Sequence, residues 1–183
     1  ANLEVIGLLV EKGVDVNARS NAGATALMAA AATGNPVAVR LLLDKGAEVN
    51  AKTKRGETAL AEAATAGDEA TVKLLLEHGA EVNTQDIRGY SPLLYAAGSD
   101  SIPTGVVRML LAKGADKNAR GDDETAAMLA AKRGDSEVAR LLGATDGERR
   151  QLGVVPPPSA SGRERTIAEA VKPALSLLEM QSH

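Results

Sequence analysis

The chain has 183 residues, a formal net charge of −3 and no cysteine. The charge gives no general pull toward nucleic acid or an anionic membrane surface, and the missing cysteines exclude a disulfide framework, a thiolate metal site and a cysteine nucleophile. Aromatic residues make up 1% of the chain, as two tyrosines without Phe or Trp, so the core must be built from Ala, Leu, Val and a few Met.

The first predicted element is a helix ahead of Gly13, apolar at Leu3, Ile6 and Leu9. It reads as the second half of a unit whose first half is missing, so the chain is expected to derive from a longer one, with any targeting signal upstream. From there the sequence repeats. Gly34–Lys52 recurs as Gly67–Gln85, a period of 33 residues. A period of this size means a stack of small units, each burying little alone and stabilised by its neighbours.

Three markers keep the register. Gly13, Gly46, Gly79 and Gly114 are each followed four residues later by Asn17, Asn50, Asn83 and Asn118. A hydroxyl residue recurs as Thr25, Thr58, Ser91 and Thr125, where a helix N-cap belongs. Alanine pairs recur at 30–31, 63–64, 96–97 and 130–131. Each unit therefore predicts a small alanine-rich helix, a glycine turn, a second helix apolar at positions such as Val39, Leu42 and Leu43, and a closing glycine. The asparagines suit hydrogen bonds to local backbone in a turn. Unit four lacks the turn glycine, having Asp123 in its place, and is one residue short there.

These features resemble the ankyrin repeat, on Gly23-Ala24-Thr25-Ala26-Leu27-Met28, Gly56-Glu57-Thr58-Ala59-Leu60-Ala61 and Gly89-Tyr90-Ser91-Pro92-Leu93-Leu94 together with the Gly and Asn markers. The resemblance covers residues 1 to about 143. Only Pro92 keeps the family's proline, and the family's histidine is absent throughout. It implies an all-α ankyrin-repeat solenoid: a half-repeat over 1–19, then repeats over about 20–52, 53–85, 86–120 and 121–143. Protruding loops are expected at about 14–24, 47–57, 80–90 and 115–124.

Past Gly143 the repeat stops. Residues 144–163 read as a Pro-rich linker around Pro156-Pro157-Pro158. Residues 164–183 read as a C-terminal amphipathic helix with a stripe of Ile167, Val171, Leu175 and Leu178, interrupted by Pro173. Three dispositions are open for it: docked on unit four over Val138, Leu141 and Leu142, packed on another molecule, or free.

Chemistry is sparse. His78 sits at a helix end, and His183 is terminal. The run Asp122-Asp123-Glu124 reads as a solvated loop, lacking any calcium-loop spacing. No phosphate-cradling glycine motif or Ser/His/Asp arrangement appears, so neither enzymatic activity nor a cofactor is expected. No apolar run approaches the roughly 20 residues of a membrane helix. Localisation reads as cytoplasmic by default, with an extracytoplasmic one open.

The resemblance implies a binding face made of loop tips and first helices. Carried over by position, it comprises Asn21, Ala22, Ala24, Ala32 and Thr33 in unit one, and Lys54, Arg55, Glu57, Thr65 and Ala66 in unit two. Unit three gives Ile87, Arg88, Tyr90, Gly98 and Ser99, and unit four Asp122, Glu124, Lys132 and Arg133. The candidate partner-binding residues are Lys54, Arg55, Glu57, Ile87, Arg88, Tyr90, Glu124, Lys132 and Arg133. They make the face basic in its middle and end, with an aliphatic and an aromatic anchor. The expected function is recognition of a protein or peptide with an acidic segment, and neither nucleic acid nor membrane is an expected partner. The alternative is a structural spacer in a larger protein, and self-association through uncovered ends is a third expectation.

Overall fold

The computed structural model describes residues 12–99, 104–134 and 136–143. The first half-unit's helix, the linker and the C-terminal helix expected from the sequence lie outside them. The described elements are α1 (Ala26–Ala32), α2 (Pro36–Asp44), α3 (Ala59–Ala66), α4 (Glu69–Glu77), α5 (Pro92–Gly98), α6 (Thr104–Ala112), β1 (Arg120–Gly121), β2 (Glu124–Thr125), α7 (Ala126–Lys132) and α8 (Ser136–Leu141). This is an all-α repeat fold with one minimal hairpin.

Each first helix starts where a hydroxyl side chain accepts an otherwise orphaned N–H. Thr25 accepts from Met28 at 3.4 Å, Thr58 from Ala61 at 3.3 Å, Ser91 from Leu94 at 3.4 Å and Thr125 from Met128 at 3.3 Å. Two second helices use other caps, Asn35 on Ala38 and Asp68 on Thr71. The helices form two layers. The first helices α1, α3, α5 and α7 pack in sequence, and α2, α4, α6 and α8 line up behind them. Their meeting surfaces are the buried alanine pairs and buried Leu and Val of the second helices. Small residues let first helices approach closely, so the core needs no aromatic side chain.

In units one to three the loop folds into a tight finger. Ser20, Thr53 and Asp86 pair through backbone N–H with the carbonyls of Ala24, Glu57 and Tyr90, across a three-residue tip that ends in a positive-φ glycine. At Gly89, φ is +83° and an added Cβ would stand 2.6 Å from the carbonyl oxygen of Arg120. That glycine is required twice, by conformation and by the close approach of the next finger. The fingers are tied edge to edge: Lys54 N–H to Ala22 C=O, Ile87 N–H to Arg55 C=O, and Asp122 N–H to Arg88 C=O.

Unit four solves the missing residue differently. β1 and β2 pair antiparallel with Gly121 opposite Glu124, leaving Asp122 and Asp123 as a two-residue turn at φ 48° and 65°. Two consecutive positive-φ residues are the type I′ solution, usually made with Asn-Gly or Asp-Gly. A one-residue deletion has thus changed the turn class.

The asparagine markers correct an expectation. They do not serve their own turn; they clip each unit to the next. Asn17 donates through Nδ2 to Gly46 C=O at 3.1 Å and accepts at Oδ1 from Glu48 N–H at 2.8 Å. Asn50 repeats this on Gly79 and Glu81 at 3.0 and 2.9 Å, and Asn83 on Gly114 and Asp116 at 3.0 and 2.9 Å. Asn118 stands in the same register, but its side chain reaches no following loop among the described residues.

The apolar end expected on unit four is also largely covered. Val138 and Leu142 are 0% and 3% exposed, and Leu141 is half-buried.

Candidate functional site

The finger tips and the exposed side of the first helices form one continuous face. Lys54 and Arg55 lie exposed on the unit-two finger, with no ion pair among the described residues. Ile87 is 71% exposed on the next fingertip, where its backbone is fixed by Arg55 and its side chain supports nothing in the core. Glu57 is half-buried, and its Oε2 accepts from the Thr53 hydroxyl at 3.1 Å. Lys132 and Arg133 are exposed at the end of α7, and Lys132 is paired with Glu124.

Arg88 and Tyr90 belong to an internal cluster that the sequence did not disclose. Asp86 opens the unit-three turn. Its Oδ1 accepts from the N–H groups of Arg88 and Tyr90, both at 2.8 Å, and its Oδ2 accepts from the Tyr95 hydroxyl at 2.7 Å. Arg88 Nε lies 3.6 Å from Asp86 Oδ2 and Nη1 lies 3.8 Å from Asp122 Oδ2, while its guanidinium sits 4.5 Å from the centre of the Tyr90 ring. The Tyr90 and Tyr95 rings are 5.5 Å apart and tilted by 55°. Tyr90 leans on the next finger so closely that a Cβ at Gly121 would lie 2.4 Å from it.

These contacts set the charges. Burial alone would raise the Asp86 carboxyl, but the Tyr95 hydroxyl, the Tyr90 and Arg88 N–H groups and the Arg88 guanidinium outweigh it and hold it below the usual carboxylate range. Burial, then the bond to Asp86, pushes the Tyr95 hydroxyl up to about 12. The expected basic patch is therefore partly neutralised from within: Arg88 by Asp86 and Asp122, Lys132 by Glu124. Arg88 and Tyr90 brace the fingers of units three and four rather than standing free. Ser99, carried over as outward-facing, is a correction: it is buried at 7% exposure, where the backbone turns extended at the end of α5.

Two face residues escaped the sequence reading, Glu62 and Tyr95. Both stand four residues after an N-cap hydroxyl, in register with Ala29 and Leu129. That spacing was available as a signal. Glu62 is half-buried, and its carboxyl is raised by burial first and by the neighbouring Glu57 second. His78 caps α4, its Nδ1 2.8 Å from the Leu74 carbonyl oxygen. Among the described residues there is no group of three or more His, Asp or Glu placed to hold a metal, and no helix long and apolar enough to cross a membrane.

A family model described as ankyrin repeats (3 copies) matches residues 1–86 and 84–150. The chain belongs to the ankyrin repeat family. Ankyrin repeats are generally protein–protein interaction modules and typically not enzymes. The family match runs past Gly143, where the repeat markers fade. No curated protein matches the chain.

Proposed function

We propose that this ankyrin stack recognises a partner protein or peptide on the face formed by its fingers and first helices. One observation carries the reading: Ile87 is 71% exposed on a fingertip, adjoining the exposed cations Lys54 and Arg55, and neither the fold nor an internal ion pair accounts for that grouping. Interfaces are commonly centred on an apolar anchor with charges around it. The partner presents an apolar group to Ile87, beside the Tyr90 ring, and an acidic segment to Lys54 and Arg55, with Lys132 and Arg133 at the far end of the same face. Arg88, exposed but paired, acts as a brace within this surface, and Glu57 and Glu124 bound it. Self-association through the unit-four end of the stack is a weaker reading, since Val138 and Leu142 are already buried.

Affinity capture with the intact chain, Ile87→Asp and Lys54→Glu/Arg55→Glu, read by mass spectrometry, tests it. A partner retained by the intact chain and lost from both variants supports the reading. Association should slow with added salt, as steering by exposed charge does. A partner held equally by all three binds elsewhere; a chain without any reproducible partner is a spacer.

A further inference from the structure

The row of face positions four residues after each N-cap hydroxyl holds one charged residue. In register it reads Ala29, Glu62, Tyr95 and Leu129. In register, Glu62 stands between the small Ala29 of the preceding unit and Tyr95 of the following one. No described donor reaches its carboxylate. With Thr58 as the N-cap of α3, Glu57 stands at the position before the cap and Glu62 at the fourth helical position, two places whose side chains face each other; Glu57 accordingly adds to burial in raising the Glu62 carboxyl. The start of α3 contributes some positive potential to Glu62, which falls in its first turn, but burial and Glu57 outweigh it.

Two cations of this face are already engaged within the chain. Arg88 is taken by Asp86 and Asp122, and Lys132 by Glu124. The exposed cations of the same unit, Lys54 and Arg55, sit on the finger and make no ion pair with either carboxylate among the described residues. The unit-two stretch is therefore polarised across its width, positive at the fingertip and negative at the palm. Two adjacent carboxylates, half removed from water and without a counter-charge among the described residues, favour a ligand that brings one.

We infer that the partner inserts a Lys or Arg side chain against Glu57 and Glu62, while its acidic segment lies outward over Lys54 and Arg55. This deepens the groove reading and rests on it. Arg suits the position better than Lys, because a planar guanidinium offers several fixed N–H donors to two carboxylates. The order of charge across one unit also sets the partner's orientation. A wholly acidic segment is repelled at the palm and a wholly basic one at the fingertip, so the partner carries both signs within a short stretch.

Display of random dodecapeptides against the intact 183-residue chain tests this. Selections are run in parallel on Glu57→Gln/Glu62→Gln, on Glu57→Lys/Glu62→Lys and on Ile87→Asp, with circular dichroism melting confirming that each variant is folded. The expected result is enrichment of an Arg or Lys close to an Asp or Glu, among peptides that Ile87→Asp no longer binds. The Gln pair should lose the basic enrichment and bind the selected peptides at least about tenfold more weakly, the scale of one lost charge-assisted bond. The Lys pair should select an acidic residue instead. Peptides that need Ile87 but carry no basic enrichment, and bind the Gln pair unchanged, overturn this inference and leave the groove reading standing. If no selected peptide depends on Ile87, the groove reading itself is overturned, and this inference with it.

Discussion

Units two and three share a plan with unit four, yet the stack holds them by different means. The fingers of units two and three have three-residue tips ending in positive-φ glycines, and the loops that lead into them are clipped to the following loop by Asn50 and Asn83. Unit four has a two-residue turn with both aspartates at positive φ, a six-residue α8, and no clip beyond Asn118 among the described residues. Its compensation comes from unit three, through the Arg88–Asp122 pair and the seating of Tyr90 on Gly121. Regular repeats thus hold each other symmetrically, whereas the last unit leans on its neighbour.

The joint between units three and four is the place to break this arrangement. Gly89→Ala imposes a positive φ on a side chain and pushes its Cβ into the Arg120 carbonyl, which should cost about 2–4 kcal/mol. Urea unfolding should show it, and a midpoint within error of the parent's would refute the close approach. Next in size is the asparagine clip. Asn83→Ala removes both bonds to the following loop and should cost about 1–2 kcal/mol; Asn118→Ala should stay within about 0.5 kcal/mol. Equal losses at the two positions would end the distinction between clipped and leaning units.

Acid acts on the same joint. Asp86 has a folded-state pKa below its ordinary 3.8, so its stabilisation is present above that ordinary value and is lost as pH falls through the lowered one. Arg88 then loses one of its two carboxylate partners, and the contact with unit four should loosen. Asp86→Asn should flatten the dependence of Tm on pH below about pH 4, its ordinary range; an unaltered acid limb would place the sensitivity elsewhere. The smallest effect is a repair. Asp123→Gly relieves the φ of 65° and should stabilise by about 0.5–1 kcal/mol. Amide exchange should show unit four opening before units one and two in the parent, with the gap narrowed by Asp123→Gly.

Much of the fold was legible because repetition reports position four times over. Glycine, asparagine and hydroxyl markers placed the described helices and loops close to where they lie. The role of the asparagines was not legible, since a side chain suited to a local turn is equally suited to a neighbouring loop, and only the stacking distance decides. The turn change in unit four was visible as a missing residue, but not its solution. On the face, exposure of Lys54, Arg55 and Ile87 agreed with their position in the pattern. The neutralisation of Arg88 was hidden, because it depends on Asp86, Tyr95 and Asp122, contributed by a finger, a helix and the next unit. Periodicity marks which residues turn outward; it carries nothing about which outward residues find each other.

The asparagine clips have a consequence for how such a chain grows. Each clip is made from one side chain and two backbone groups of a Gly-x-x segment, so it requires little of the neighbour's particular sequence. A stretch copied from one clip to the next arrives with both halves of the connection already made, facing the same halves on either side. Duplication or loss of a whole unit leaves every remaining joint closed, while a deletion inside a finger, as in unit four, must be answered by a new turn. Length is thus the property this architecture changes most readily, and finger shape the one it changes at a cost.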